Sequence, residues 1–136
     1  MGGEPAGGGV AKGTVKTILI VEDDLVGGMM LFDYLKAHGY RPLLVRNGDE
    51  GIVAFAKHHP DLVLLDVALP RKNGFEVCFD IRRSPAGADT PVLLMSAVYK
   101  DQAHAQQYAR DDLRAQGFLV KPFELSELLS RVRALT

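Results

Sequence analysis

The chain has 136 residues, is 47% hydrophobic and 24% charged, and carries a formal net charge of -1. That length suits one domain with one sizeable core, and that composition is ordinary for a water-soluble globular protein. The near-neutral balance offers no strongly basic face to nucleic acid, and no helix-turn-helix pattern is left over, so direct DNA binding by this chain is not expected. The single cysteine, Cys78, excludes an internal disulfide and fits a reducing compartment. No apolar stretch approaches the roughly 18 residues of a membrane span, and the N-terminus lacks the apolar core of a secretory signal. A cytoplasmic protein without membrane insertion is the expectation.

Residues 1–16 are Gly-rich (GGEPAGGG, then GTVK) and cannot bury enough apolar surface to offset their ordering entropy, which predicts a flexible tail ahead of a domain over 17–136. Thr17 to Val21, TILIV, reads as a buried strand that ends on Glu22, Asp23 and Asp24. Asp24 or Leu25 opens a helix to about His38, with Met29, Leu31, Phe32 and Leu35 offered to the core. Gly27 and Gly28 weaken its first turns, and Gly39 stops it. Pro42 to Val45 reads as a second strand, with Pro42 suited to its start or to an edge. Asn47 can cap the next helix, whose apolar stripe is Ile52, Phe55 and Ala56 and which His58, His59 and Pro60 end.

The run Leu62 to Leu65 is continuous, apolar and too short for a buried helix; it reads as a strand covered on both faces. It ends on Asp66, and a carboxylate there is costly unless solvated or neutralised. Asp66 is therefore a candidate for chemistry, although a turn or capping aspartate is an equal reading of this strand alone. After the loop LPRKNG, a helix runs from about Phe75 to Arg83, with Phe75, Cys78 and Ile81 on one side. Pro91 to Met95 is a fourth strand ending on Ser96. Tyr99 to Ala115 is polar with a weak helical pattern. Gly117 to Val120 is a short fifth strand before Lys121 and Pro122, and Leu125, Leu128, Leu129 and Val132 repeat at helical spacing. Arg82, Arg83 and Lys72 read as solvated, the four histidines as surface residues without ligand spacing, and at least one of Met29 and Met30 as buried.

Five strands alternating with five helices predict an α/β fold: a parallel sheet with helices on both faces and right-handed crossovers. In such a sheet the carboxyl ends of all strands share one edge, where ligands bind. Glu22 and Asp23, Asp66, Ser96 and Lys121 all stand at strand ends and can converge there. Crowded carboxylates raise each other's proton affinity, and a hard divalent cation such as magnesium relieves that. A carboxylate can also attack phosphorus, with a lysine ammonium and a metal neutralising the transferring group.

The runs ILIVEDD (18–24), LLDVALPRKNG (64–74), PVLLMSA (91–97) and FLVKPF (118–123) together resemble the response-regulator receiver domain of two-component signalling, of the chemotaxis-regulator type. The resemblance covers about 16–135. It implies a flavodoxin-like, doubly wound sheet of order 2-1-3-4-5. It implies that Asp66 is the phospho-acceptor, that Asp23 is a direct ligand of Mg2+ (or Mn2+), that Glu22 acts through water, and that the Ala68 carbonyl completes the protein's share of the metal shell. Ser96 matches the switch hydroxyl, Phe118 the switch aromatic, and Lys121 the lysine that precedes what is often a cis peptide at Pro122. Implied partners are a sensor histidine kinase or phosphotransfer protein upstream and an unknown protein target downstream. That target would dock on the face of the fourth helix, fifth strand and fifth helix, and the resemblance also allows a homodimer through that face. Such a regulator catalyses only its own phosphorylation and dephosphorylation. Output would be by docking, unless the chain belongs to a longer regulator.

Two departures stand out. The segment between Ser96 and Phe118 is longer than usual and has Arg114, Ala115 and Gln116 in place of a small-acidic run. Ala68 and Val98 are apolar at positions that tune phosphoryl lifetime in the family, so altered hydrolysis is expected. Two rival readings remain: a receiver-fold interaction module that is never phosphorylated, and an aspartyl-nucleophile phosphohydrolase. The latter's best-known motif needs an aspartate two residues after the nucleophile, where this chain has Ala68. Nucleotide binding has no GxGxxG or P-loop sequence behind it.

Overall fold

Alternation along the buried strands sorts the core into two halves. The computed structural model describes residues 15–97 and 102–136. Its five strands are β1 (Thr17–Val21), β2 (Arg41–Val45), β3 (Leu62–Asp66), β4 (Val92–Ser96) and β5 (Gly117–Val120). All pair in parallel, in the order β2-β1-β3-β4-β5, which is the expected 2-1-3-4-5. Successive side chains point to opposite faces of a strand. Leu19, Val21, Val63, Leu65, Val92 and Leu94 therefore face one layer of helices, while Ile18, Ile20, Leu62, Leu64, Leu93 and Met95 face the other. β1, β3 and β4 are covered on both sides, which is why they read as unbroken apolar runs. Pro42 is the second residue of the edge strand β2, where a missing N–H costs one ladder bond at most.

The helices are α1 (Leu25–Ala37), α2 (Gly48–His58), α3 (Gly74–Arg83), α4 (Gln102–Gln107) and α5 (Leu125–Leu135). Leu31 and Leu35 of α1 with Leu128, Leu129 and Val132 of α5 close one face; Phe55 of α2 and Val77, Cys78 and Ile81 of α3 close the other. Three starts are capped by side chains. Asp24 accepts from the Gly27 N–H at 2.8 Å, Asn47 accepts from Glu50 at 2.9 Å, and Asn73 with Glu76 forms a reciprocal capping box at 3.0 Å each way.

The structure corrects four readings, one of them Ala56 of the α2 stripe, which is exposed while Ala54 is buried beside Phe55. Arg82 is not solvated: it is buried in the last turn of α3. Neither Met29 nor Met30 is buried (42% and 54% exposed), because Gly28 is the residue of that turn that faces the sheet, where a Cβ would press against Leu44. The polar segment after β4 does not stay α-helical to Ala115. Its last turn, Tyr108–Asp112, is π-helical, with the Leu113 N–H reaching the Tyr108 carbonyl at 3.1 Å, and this wider turn accommodates extra chain length. Residues 1–14 of the expected tail and 98–101, including Val98, lie outside the described residues. Among the described residues no helix is long and apolar enough to cross a membrane.

Candidate functional site

Parallel pairing brings the ends of β1, β3, β4 and β5 to one edge, and backbone bonds carry the ladder just past them. The N–H of Glu22 donates to the Val45 carbonyl at 3.0 Å, that of Val67 to Met95 at 2.8 Å, and that of Lys121 to Ser96 at 2.7 Å. Glu22, Asp66 and Ser96 are thereby held at 3%, 5% and 1% exposure. The loop after Asp66 is seated by two close backbone approaches. A Cβ on Gly74 would collide with the Asp66 carbonyl oxygen, and one on Gly48 with the Lys72 carbonyl oxygen, so both positions need glycine. α3 can therefore start directly against the end of β3.

Three of the predicted side chains meet. The Lys121 ammonium donates to Glu22 Oε1 and to Asp66 Oδ2, each at 2.7 Å. The second oxygens are occupied by backbone: Asp66 Oδ1 accepts from the Ala68 N–H at 3.0 Å, and Glu22 Oε2 from the Asp24 N–H at 3.1 Å. Two buried carboxylates against one ammonium leave a surplus negative charge. Burial above all, then the nearby Asp66, raises the proton affinity of Glu22, against the opposing bonds from Lys121 and the Asp24 backbone. Burial alone would lower that of Lys121, but its bonds to Asp66 and Glu22 outweigh burial and raise it, so the ammonium stays charged.

The other predicted residues surround this core. Asp23 is exposed, and its carbonyl accepts from Arg46 Nε at 3.2 Å, a contact that nothing in the sequence signals. Ala68 is exposed, two residues beyond Asp66. The Ser96 hydroxyl donates to the Ala97 carbonyl at 2.9 Å rather than to Asp66. Phe118 is half-buried against the side of the core that α2 and α3 close. The Lys121–Pro122 peptide is cis. Lys72 pairs with Asp80 at 2.6 Å. Beside the site a cleft of about 480 Å³ runs between α1 and the start of α5, lined by Met30, Leu31, Phe123 and Leu125 next to Glu22 and Lys121.

Among the described residues no three His, Cys, Asp or Glu side chains are gathered to hold a metal ion. In kind, however, the donors suit a hard divalent cation. They are all oxygens, two are buried carboxylates, and the crowding that raises Glu22 is what a cation relieves.

Fold and site together define a doubly wound, parallel-sheet protein with a charged, buried centre at the carboxyl edge of its strands. The chain belongs to the response regulator receiver domain family, whose model matches residues 18–133. It is a receiver domain of two-component signalling. It is 37% identical over 118 residues to the DNA-binding dual master transcriptional regulator RpaA of Synechocystis, and 40% identical over 118 residues to the response regulator MprA of a Mycobacterium species. Each alignment takes in 87% of this chain but 48% and 49% of the relative, so the chain spans about half the length of these curated relatives. The chemotaxis response regulator CheY4 of Vibrio cholerae superposes with a TM-score of 0.81 at 26% identity, over 90% of this chain and 100% of that one. Receiver domains as a class are signalling proteins that pair with histidine kinases or phosphotransfer proteins, and they generally bind Mg2+ at the phosphorylation site.

Proposed function

We propose that this chain is a phosphorylation-dependent switch whose acceptor is Asp66, built on a domain over 17–136. The observation that carries the reading is the buried Asp66 carboxylate at the carboxyl end of β3, 2.7 Å from the Lys121 ammonium and crowded by Glu22. An Asp66 oxygen attacks the phosphorus of a phospho-histidine on a sensor kinase or phosphotransfer protein. The new P–O bond forms as the P–N bond breaks, and the leaving imidazole nitrogen keeps the electron pair and takes a proton. Asp23, Asp66, the Ala68 carbonyl and, through water, Glu22 would hold Mg2+ (or Mn2+), which supplies neutralisation of charge on the transferring phosphoryl group.

Once Asp66 is phosphorylated, Lys121 keeps its bond at the new oxygens, and the Ser96 hydroxyl gives up the Ala97 carbonyl to donate to one of them. Phe118 then turns into the space beside β4. The face of α4, β5 and α5 is remodelled for its protein target. This is a population shift between two packings, driven only by the difference in their interaction with the phosphoryl group.

The test is incubation with a small phosphodonor, with and without Mg2+, read by intact mass on wild type and Asp66→Asn. One added phosphoryl group that requires the metal and vanishes in the variant is the expected result. No added mass on folded protein would leave a phosphorylation-independent interaction module.

A further inference from the structure

At the opposite edge of the sheet, Arg82 is buried at the end of α3 with 9% exposure. A guanidinium has five N–H donors, and here each has an acceptor. Nε donates to the Leu113 carbonyl at 3.1 Å. Nη1 donates to the carbonyls of Gly87 at 2.8 Å and Thr90 at 2.6 Å. Nη2 donates to the Arg114 carbonyl at 3.0 Å and to Gln116 Oε1 at 3.0 Å. All five acceptors are uncharged. Leu113 and Arg114 leave the π-helical turn, Arg114 in the left-handed region at φ 54°, so the cation also sits where that turn's carbonyls need donors.

The Gln116 arm reaches further than the rest. Its Oε1 also accepts from the Val92 N–H at 2.7 Å, and the Gln116 backbone N–H donates to the Val92 carbonyl at 2.9 Å. Gln116 thus fastens the start of β4 to the start of β5. The next pairs along that ladder are Leu93 with Gly117 and Leu94 with Phe118, and the last is Ser96 with Val120. Gln116 therefore joins the starts of the two strands that end in Ser96 and carry Phe118 by one backbone bond and by one side-chain amide that a buried arginine grips.

We propose that Arg82, acting through Gln116, is a positioning device for the switch. The clamp belongs to the unphosphorylated packing and slackens when β5 and Phe118 move, so its strength sets how easily the phosphorylated packing is reached. The inference rests on the phosphorylation reading above and adds a site of control on the far edge from Asp66. It predicts opposite effects from two substitutions at one exposed residue. Gln116→Ala removes the amide acceptor while sparing the other four bonds of Arg82. Gln116→Glu keeps an acceptor for Val92 and gives Arg82 a charged partner.

The experiment records 1H–15N spectra of wild type and both variants with and without beryllofluoride and Mg2+, and the rate of phosphorylation by phosphoramidate. The expected result is that the free Gln116→Ala protein shifts its Ser96 and Phe118 amide signals toward the beryllofluoride-bound positions. It would react about threefold faster than wild type, as loss of a resting-state hydrogen bond of ordinary strength implies. Gln116→Glu would shift the same signals the other way and react more slowly. A purely structural role would instead change stability without moving signals along that axis. If wild type is phosphorylated but both variants lie at its positions and rate, the clamp has no part in the switch and only this inference falls. If both variants move in the same direction, the inference also falls. If wild type takes up no phosphoryl group and ignores beryllofluoride, the inference falls together with the reading it rests on.

Discussion

The two edges of the sheet each bury charge, and they resolve its cost in opposite ways. At the amino edge, Arg82 fills every donor with an uncharged oxygen, and nothing is left over. At the carboxyl edge, Glu22 and Asp66 share one ammonium and keep a surplus negative charge. A buried charge with its bonding complement filled holds structure together; one with a surplus is a cost that a cation would lower. Burial lowers the proton affinity of Arg82 and raises that of Glu22, so each is pressed toward neutrality. Only the carboxylate lies close enough to its ordinary range to respond.

The strongest way to break this contrast is to empty the amino edge. Arg82→Met leaves the carbonyls of Gly87, Thr90 and Arg114 without the guanidinium and that of Leu113 with only the Cys78 thiol at 3.8 Å. It is expected to cost on the order of 3 kcal/mol in urea denaturation, in the range for breaking a buried charged network. A loss below about 1 kcal/mol would mean that water replaces the guanidinium and that the edge is not held by it.

At the carboxyl edge the sign should reverse. Glu22→Gln removes one of two crowded carboxylates and keeps an acceptor for Lys121, though its amide nitrogen gives up the bond from the Asp24 N–H; the metal-free protein should still gain up to about 1 kcal/mol at neutral pH, as relief of like-charge crowding commonly yields. The pH dependence sharpens this. A carboxyl whose proton affinity is raised on folding contributes stability that is complete below its unfolded value, near 4.5, and is lost as pH rises through its folded one. The advantage of the variant should therefore shrink as pH falls from 7 toward 4.5, measured as the difference between the two denaturation curves. A constant difference would show that Glu22 is not the group under pressure.

The smallest effect concerns the loop that joins the site to α3. Arg71 sits at φ 71°, and its ion pair with Asp49, at 3.6 Å between exposed side chains, contributes little. Arg71→Gly relieves the left-handed backbone and should stabilise the chain by about 0.5 kcal/mol after the unfolded-state entropy of glycine is counted. A loss instead would show that the loop depends on the Arg71 side chain.

Much of the molecule was legible before any contact was known. The strands β1, β3 and β4 announced double-sided burial by unbroken apolar runs, and Asp24 and Asn47 stood where helix starts needed acceptors, whereas the Asn73 capping box went unread. Asp66, Glu22 and Lys121 were legible as strand-end residues that one parallel edge brings together, a prediction that requires topology but no side-chain geometry. Arg82 was not. At the end of a helix an arginine usually completes the dipole in solvent, and its four carbonyl partners come from segments up to 32 residues away. Met29 and Met30 misled for a related reason: helical period marks which side of α1 is apolar, but the close seat of Gly28 on Leu44 decides how the helix is rotated. Sequence by itself determined the order of elements, the layers and the charged edge, because these follow from periodicity and chain direction. The tertiary structure decided which charges meet, which way Ser96 and Asp23 turn, and that a buried guanidinium ties β4 to β5. Those depend on distances between segments that only packing brings within hydrogen-bond reach.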